Sequence, residues 1–185
     1  MTPFCFEHVF LAATPADVFA AYFDPQHQIE QDRTLEIIER EVIELADTGD
    51  EICRRCRVVP RRQLPVLLRA FASGPLHYIE HVTGSRATHE IRIDLRLFGG
   101  RGRVTGCYRL EPVAPGPTSS GPDSLWPAGS VRRSYSGTVS VDVAVIAARI
   151  ERGIVAEFER SLSRAAACTQ KWLEQQTHRS VAARA

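Results

Sequence analysis

Lysine is almost missing from this chain: of 23 basic residues only Lys171 is one, the rest being arginines interspersed with 22 acids. The resulting formal charge of +1 and pI ≈ 7.7 leave no global electrostatic footprint. Charge therefore gives generic nucleic-acid binding no support beyond local patches, and no nucleic-acid partner is expected. Long apolar runs are also lacking, since no stretch reaches the ~18 uncharged apolar residues of a bilayer span. The opening MTPFCFEHVFLAA has no basic region and breaks its apolar run at Glu7 and His8, so no secretory signal is expected. Cysteine is scarce and odd in number, five in 185 residues. A chain of this length buries roughly 70% of its unfolded surface without a staple. Reduced thiols and a cytoplasmic location are the expectation.

Two short motifs hold metal-ligand residue types without the rest of a site. His77-Tyr78-Ile79-Glu80-His81 has the H-x-x-E-H spacing of an inverted zinc-protease helix, yet it lies in a stretch that reads as a strand. There His77 and His81 face outward and Glu80 inward. Cys53-Arg54-Arg55-Cys56 is one CxxC without a second pair, and on a strand its sulfurs point to opposite faces. No metal and no cofactor is expected. Arg54, Arg55, Arg57, Arg61 and Arg62 crowd one segment without interleaved aromatics, and Glu39, Glu41 and Glu44 are placed to neutralise them, which reads as a solvated, ion-paired sheet face.

What the chain does have is clear periodicity. Residues 3–12 read as a strand, followed by a helix over 16–23 with Thr14 as cap, Pro15 in the first turn and Asp17 reaching back. Asp24-Pro25 ends that helix. Segments 34–46 and 51–59, separated by Asp47-Thr48-Gly49-Asp50, form a hairpin. A loop at Gly99-Gly100 pairs Leu97 with Gly102, Leu95 with Val104, Ile93 with Gly106 and Ile91 with Tyr108. A turn at Gly84-Ser85 would pair Glu80 with His89 and Tyr78 with Ile91, assigning the same apolar face. Residues 114–130 are loop by composition. From 146 to 175 the period becomes 3.6, with Ile150, Ile154, Phe158, Leu162 and Trp172 on one face. One domain over 1–176 with a frayed tail at 177–185 is expected.

Strand, short helix, antiparallel meander and long terminal helix together resemble the START-like superfamily, also called SRPBCC or birch-pollen-allergen-like. The resemblance covers residues 3–176. It is carried locally by HVFLAATPADVFAAYFDP and IERGIVAEFERSLSRAAACTQKWLEQQ, and is nearest to a bacterial branch of unknown function. It implies an α+β helix-grip fold of about seven strands curved around the last helix. It also implies an apolar small-molecule ligand, lipid, sterol-like or polyketide-like, held between sheet and helix. The Cys and His pattern of the iron-sulfur oxygenase members is absent.

On that reading the ligand is bordered by Tyr78, Glu80, His89, Ile91, Ile93, Leu95, Val104, Gly106 and Tyr108 from the sheet, and by Ile154, Phe158 and Leu162 from the helix. Gly106 and Gly137 are expected to leave room for it. Glu80 and His89, opposite each other on an apolar face, must pair, meet a ligand or reach water. The alternative function is a cyclase, aromatase or hydrolase with Glu80 and His89 as acid and base and Tyr78 or Tyr108 as orienting donor. Glu151 falls inside the apolar arc near the helix start, where the helix dipole favours it. The apolar segment 64–72 is core, lid or a transient membrane contact. Leu64, Leu67, Phe71 and Trp126 are the expected gate.

Overall fold

The structure, a computed structural model, describes residues 1–61, 77–113, 129–143 and 146–182. In chain order it contains β1 (Thr2–Phe10), α1 (Pro15–Phe23), α2 (Pro25–Thr34), β2 (Ile37–Asp47), β3 (Glu51–Pro60), β4 (Tyr78–Ser85), β5 (Glu90–Leu97), β6 (Gly102–Val113), β7 (Ser130–Val141) and α3 (Ala147–Ala182). The seven strands form one curved antiparallel sheet in the order β1-β7-β6-β5-β4-β3-β2. The helices α1, α2 and α3 pack on one another, and α3 lies against β1 and β7. This is the helix-grip α+β architecture expected above.

Local chemistry sets the first helix. Thr14 and Asp17 form a reciprocal capping box, with Asp17 N–H donating to Thr14 Oγ1 at 3.2 Å and Thr14 N–H donating to Asp17 Oδ2 at 2.8 Å. Asp24-Pro25 ends α1 as expected but also starts α2, a helix not anticipated from the sequence. Asp24 Oδ1 accepts from the Gln26 and His27 amides, and Pro25 sits where a missing N–H costs nothing. Little apolar periodicity marks α2, because it buries chiefly His27, whose Nε2 lies 3.1 Å from Thr169 Oγ1 on α3.

The β5–β6 register is the expected one, with Leu97 opposite Gly102, Leu95 opposite Val104, Ile93 opposite Gly106 and Ile91 opposite Tyr108. The β4–β5 register is not. Tyr78 faces Leu97, Glu80 faces Leu95 and Gly84 faces Ile91, so the turn is made by residues 86–89 rather than by Gly84-Ser85. The physical reason is that Gly84 serves packing, not turning: a Cβ there would stand 2.5 Å from the Phe23 ring of α1. His89 instead takes the left-handed conformation, at φ 52°. The displacement is an even number of residues, so the buried face came out right although the partners did not.

The last helix continues through Ala182, beyond the fraying expected from residue 177. Its Glu151 is buried and accepts from Thr2 Oγ1 at 2.8 Å and the Val141 amide at 3.0 Å, with the amino terminus of Met1 also 3.0 Å away. Burial pushes this carboxyl up, but those donors outweigh it and hold its pKa below the usual range. A local contact set, rather than the helix dipole alone, therefore accounts for an acid in the apolar arc. No described helix is long and apolar enough to cross a membrane.

Candidate functional site

A cavity of about 220 Å³ lies between the concave face of the sheet and α3, with α2 and the start of β2 at its border. The two-residue alternation of each strand decides what enters it. Of the residues expected from the sequence, Tyr78, Glu80, Ile93, Leu95 and Tyr108 line it from the sheet, and Ile154, Phe158 and Leu162 from α3. Ile91 and Val104 share that face but are sealed in the core, at 1% and 0% exposure. The gate residues Leu64, Leu67, Phe71 and Trp126 lie outside the described residues.

Gly106 and Gly137 do not create the space. A Cβ at Gly106 would meet the Tyr135 ring at 2.5 Å, and one at Gly137 would meet the Thr105 carbonyl oxygen at 2.0 Å and Phe4 at 2.7 Å. These glycines let aromatic rings lie against the backbone. Tyr135 stacks on Tyr108 with centroids 4.1 Å apart, and Tyr22 of α1 stands 5.9 Å from Tyr108.

Glu80 and His89 are not partners. Glu80 is held by Arg40 of β2, while His89 sits in the β4–β5 turn with its ring 5.8 Å from Phe19. The expected acid/base pair therefore loses its geometric basis. Arg40 also donates Nε to Asp32 of α2, at 3.1 Å to Oδ1 and 3.0 Å to Oδ2. Burial works against the Arg40 charge, but Glu80, Tyr78 and Asp32 raise its pKa well above the ordinary value. The triad is satisfied as built.

Two further arginines reach the cavity without such partners. Arg54, expected on a solvated face, is 7% exposed; its guanidinium stacks 5.7 Å from the centroids of Tyr22 and Phe23, and its Nε has no hydrogen-bond partner among the described residues. Arg133 is 8% exposed and lies 5.1 Å from the centroids of both Phe10 and Tyr108. Burial lowers its pKa. Neither arginine pairs with a described carboxylate. Four tyrosines, Tyr22, Tyr78, Tyr108 and Tyr135, also line the space. Burial pushes their hydroxyls up, Tyr108 to about 12, so all four remain protonated donors at neutral pH.

Arg40, Arg54, Arg133, Tyr22 and Tyr135 were not anticipated in the sequence. A signal existed for two of them: Arg54 has the parity of Ile52, Cys56 and Val58, and Arg133 that of Val131, Tyr135 and Val139. The outer-face readings of His81, Cys53 and Arg57 stand closer to the structure. His81 is exposed, and Cys53 Sγ lies 3.2 Å from its Nε2 on the outer face, while Cys56 is buried. Arg57 meets Glu39 at 3.6 Å and Glu41 at 3.8 Å. No cluster of three or more metal-ligating residues occurs among the described residues.

The chain belongs to the family described as Protein of unknown function (DUF2505), whose model matches residues 8–173. No curated protein matches the sequence. The fold is similar to that of TTHA0849 from Thermus thermophilus, at TM-score 0.62 and 12% identity, covering 95% of this chain and 99% of that one. It is also similar to the Zhui aromatase/cyclase from Streptomyces sp. R1128, at TM-score 0.58 and 11% identity over 95% and 96% of the two chains. Ara h 8.0201 aligns at TM-score 0.53 and 12% identity, over 94% and 99%. These likenesses identify a START/SRPBCC-like fold.

Proposed function

We propose that this protein binds a small molecule with an apolar body in the cavity between the concave sheet face and α3. The observation that carries this reading is the cavity itself, about 220 Å³ bounded by Ile93, Leu95, Ile154, Phe158 and Leu162. A close-packed interior seldom leaves a void larger than a water molecule. An apolar cavity of about 150 Å³ suffices for benzene, so the volume here suits the smaller members of the lipid-like and polyketide-like set rather than a whole sterol. Binding gains about 25 cal/mol per Å² of apolar surface removed from water, less the cost of ordering the ligand.

The test is native mass spectrometry and thermal-shift measurement on the purified protein with panels of fatty acids, alcohols and one- and two-ring aromatic compounds. A compound present at a hundredfold its Kd should stabilise the fold by about 2.7 kcal/mol. The substitution Ala165→Trp fills the cavity from α3 and should abolish the shift. An absence of any adduct or shift across the panels would reject a ligand-binding role.

A further inference from the structure

We propose that the ligand is an organic acid whose carboxylate is held by Arg54 and Arg133, with one or two rings or a short aliphatic chain as its apolar body. This rests on the cavity-binding reading above and specifies its ligand class.

Taking a guanidinium out of water costs several kcal/mol even after relaxation. Arg40 offsets that cost through Asp32 and Glu80. Among the described residues, Arg54 and Arg133 have aromatic faces rather than carboxylates to set against it. A desolvated cation–π contact contributes about 2 kcal/mol or more, but a ring face accepts none of the in-plane N–H bonds that a guanidinium presents. The two cations are thus buried, border a cavity and lack an anionic acceptor among the described residues.

The number of charges points to the kind of acceptor. Of the arginines that border the cavity, Arg40 is answered by Asp32 and Glu80 and Arg164 donates to the Thr34 carbonyl, which leaves Arg54 and Arg133. His8 lies beside Arg133 in the β1–β7 register. Burial and the Arg133 charge lower its pKa, so it adds no compensating or competing charge at neutral pH. Glu157 at the cavity border is engaged by Arg160. The segments outside the described residues contain a single acid, Asp123, beside Arg62, Arg69 and Arg184. Two buried cations are left without a described carboxylate, and an anionic ligand answers them. A carboxylate does so with planar geometry that matches the guanidinium fork.

Placement agrees with this. Arg54 stacks on Tyr22 and Arg133 on Tyr108, and those two rings adjoin each other, so both cations flank one ring pair at the edge of the apolar space. The Tyr22 and Tyr108 hydroxyls, kept protonated by burial, offer further donors to an oxyanion in the same region. The remaining surface, from Ile93 and Leu95 to Phe158 and Leu162, suits hydrocarbon.

The experiment compares acids with their neutral esters by calorimetry on the full chain: octanoate against methyl octanoate, and 2-naphthoate against its methyl ester. Hydrogen bonds to charged groups contribute about 1.5–3 kcal/mol each, so the acids should bind about 10–100-fold tighter than the esters. Arg54→Met and Arg133→Met should each erase most of that ratio while leaving ester affinity within about threefold, whereas Arg109→Met on the convex face should leave the ratio intact. The wild-type ratio needs no variant, so the test survives if a variant does not fold. Esters that bind as tightly as acids would overturn the acid assignment and leave the cavity reading standing. Binding of neither series would reject both. Octyl phosphate that binds more tightly than octanoate would overturn the carboxylate assignment in favour of a dianion.

Discussion

The two faces of the sheet use arginine in opposite ways. On the convex face every described ion pair is made in water: Arg103 reaches diagonally to Asp94 at 2.8 Å, which separates it from the like charge of Arg96, and Arg109 meets Glu90 at 3.2 Å. On the concave face Arg40 is paired with Asp32 and Glu80, while Arg54 and Arg133 are buried on aromatic rings. Exposed pairs contribute about 0–1 kcal/mol and can be shuffled with little effect. A buried cation is costly unless something answers it. The contrast marks the concave face as the one where composition is set by more than solubility.

The largest effect that would sharpen this contrast lies in the Arg40 triad. Glu80→Leu removes an acceptor from a buried guanidinium and should destabilise the protein by about 3 kcal/mol, read from urea unfolding. The matched convex change Glu90→Gln should cost under about 1 kcal/mol. Equal effects would break the distinction between the faces. Next comes Gly106→Ala, whose Cβ would stand 2.5 Å from the Tyr135 ring. Overpacking of this kind costs about 1–3 kcal/mol, and Tyr135 must swing toward the cavity, so loss of ligand binding should accompany it.

How much of this was legible in sequence depends on which physical rule applied. Alternation along β5 and β6, fixed by the glycines at 99 and 100, gave register and face together because both glycines do adopt positive φ, 63° and 98°. Gly84 misled for the reason that a glycine can mean either a turn or a close approach, and only the position of Phe23 decides between them. Helix α2 escaped notice because its surface is polar and its stop signal for α1 doubles as its own cap. The site was half visible. Its apolar lining follows strand parity, but Arg54 and Arg133 break the expectation that charges face water, and nothing local announces that aromatic rings from α1 and β6 will cover them.

If those arginines are retained for a ligand, the empty protein gains nothing from their charge. Arg133→Met should leave the stability of the ligand-free protein unchanged or raise it by about 1–2 kcal/mol, because an apolar side chain of similar volume avoids the desolvation cost. Thermal and urea unfolding of the ligand-free variant would check this. A loss of several kcal/mol would mean that the stacked cation stabilises the fold, and the two faces would then differ less than their pairing implies.

The smallest effects separate the regions by what shifts their titrations. His27, 1% exposed, has its pKa lowered from 6.5 chiefly by burial. Below that ordinary value the unfolded chain holds a proton that the folded chain refuses. The contribution of neutral His27 is therefore complete above pH ~6.5 and declines as the pH falls through the lowered folded value. At the exposed tip of the β2–β3 hairpin, Asp47 is pulled down to about 2, first by its hydrogen bond from Arg86 and then by the Gly49 amide. Its contribution is complete above the ordinary carboxylate value and is lost as the pH falls through about 2. Salt tells the two causes apart, since the Debye length shrinks to about 3 Å at 1 M. Carboxyl and imidazole shifts followed by NMR should show the Asp47 midpoint rising toward its ordinary value in 1 M salt, while the His27 midpoint barely moves. A His27 midpoint that tracks salt as Asp47 does would mean that water reaches the ring, and would place it with the exposed face rather than the buried one.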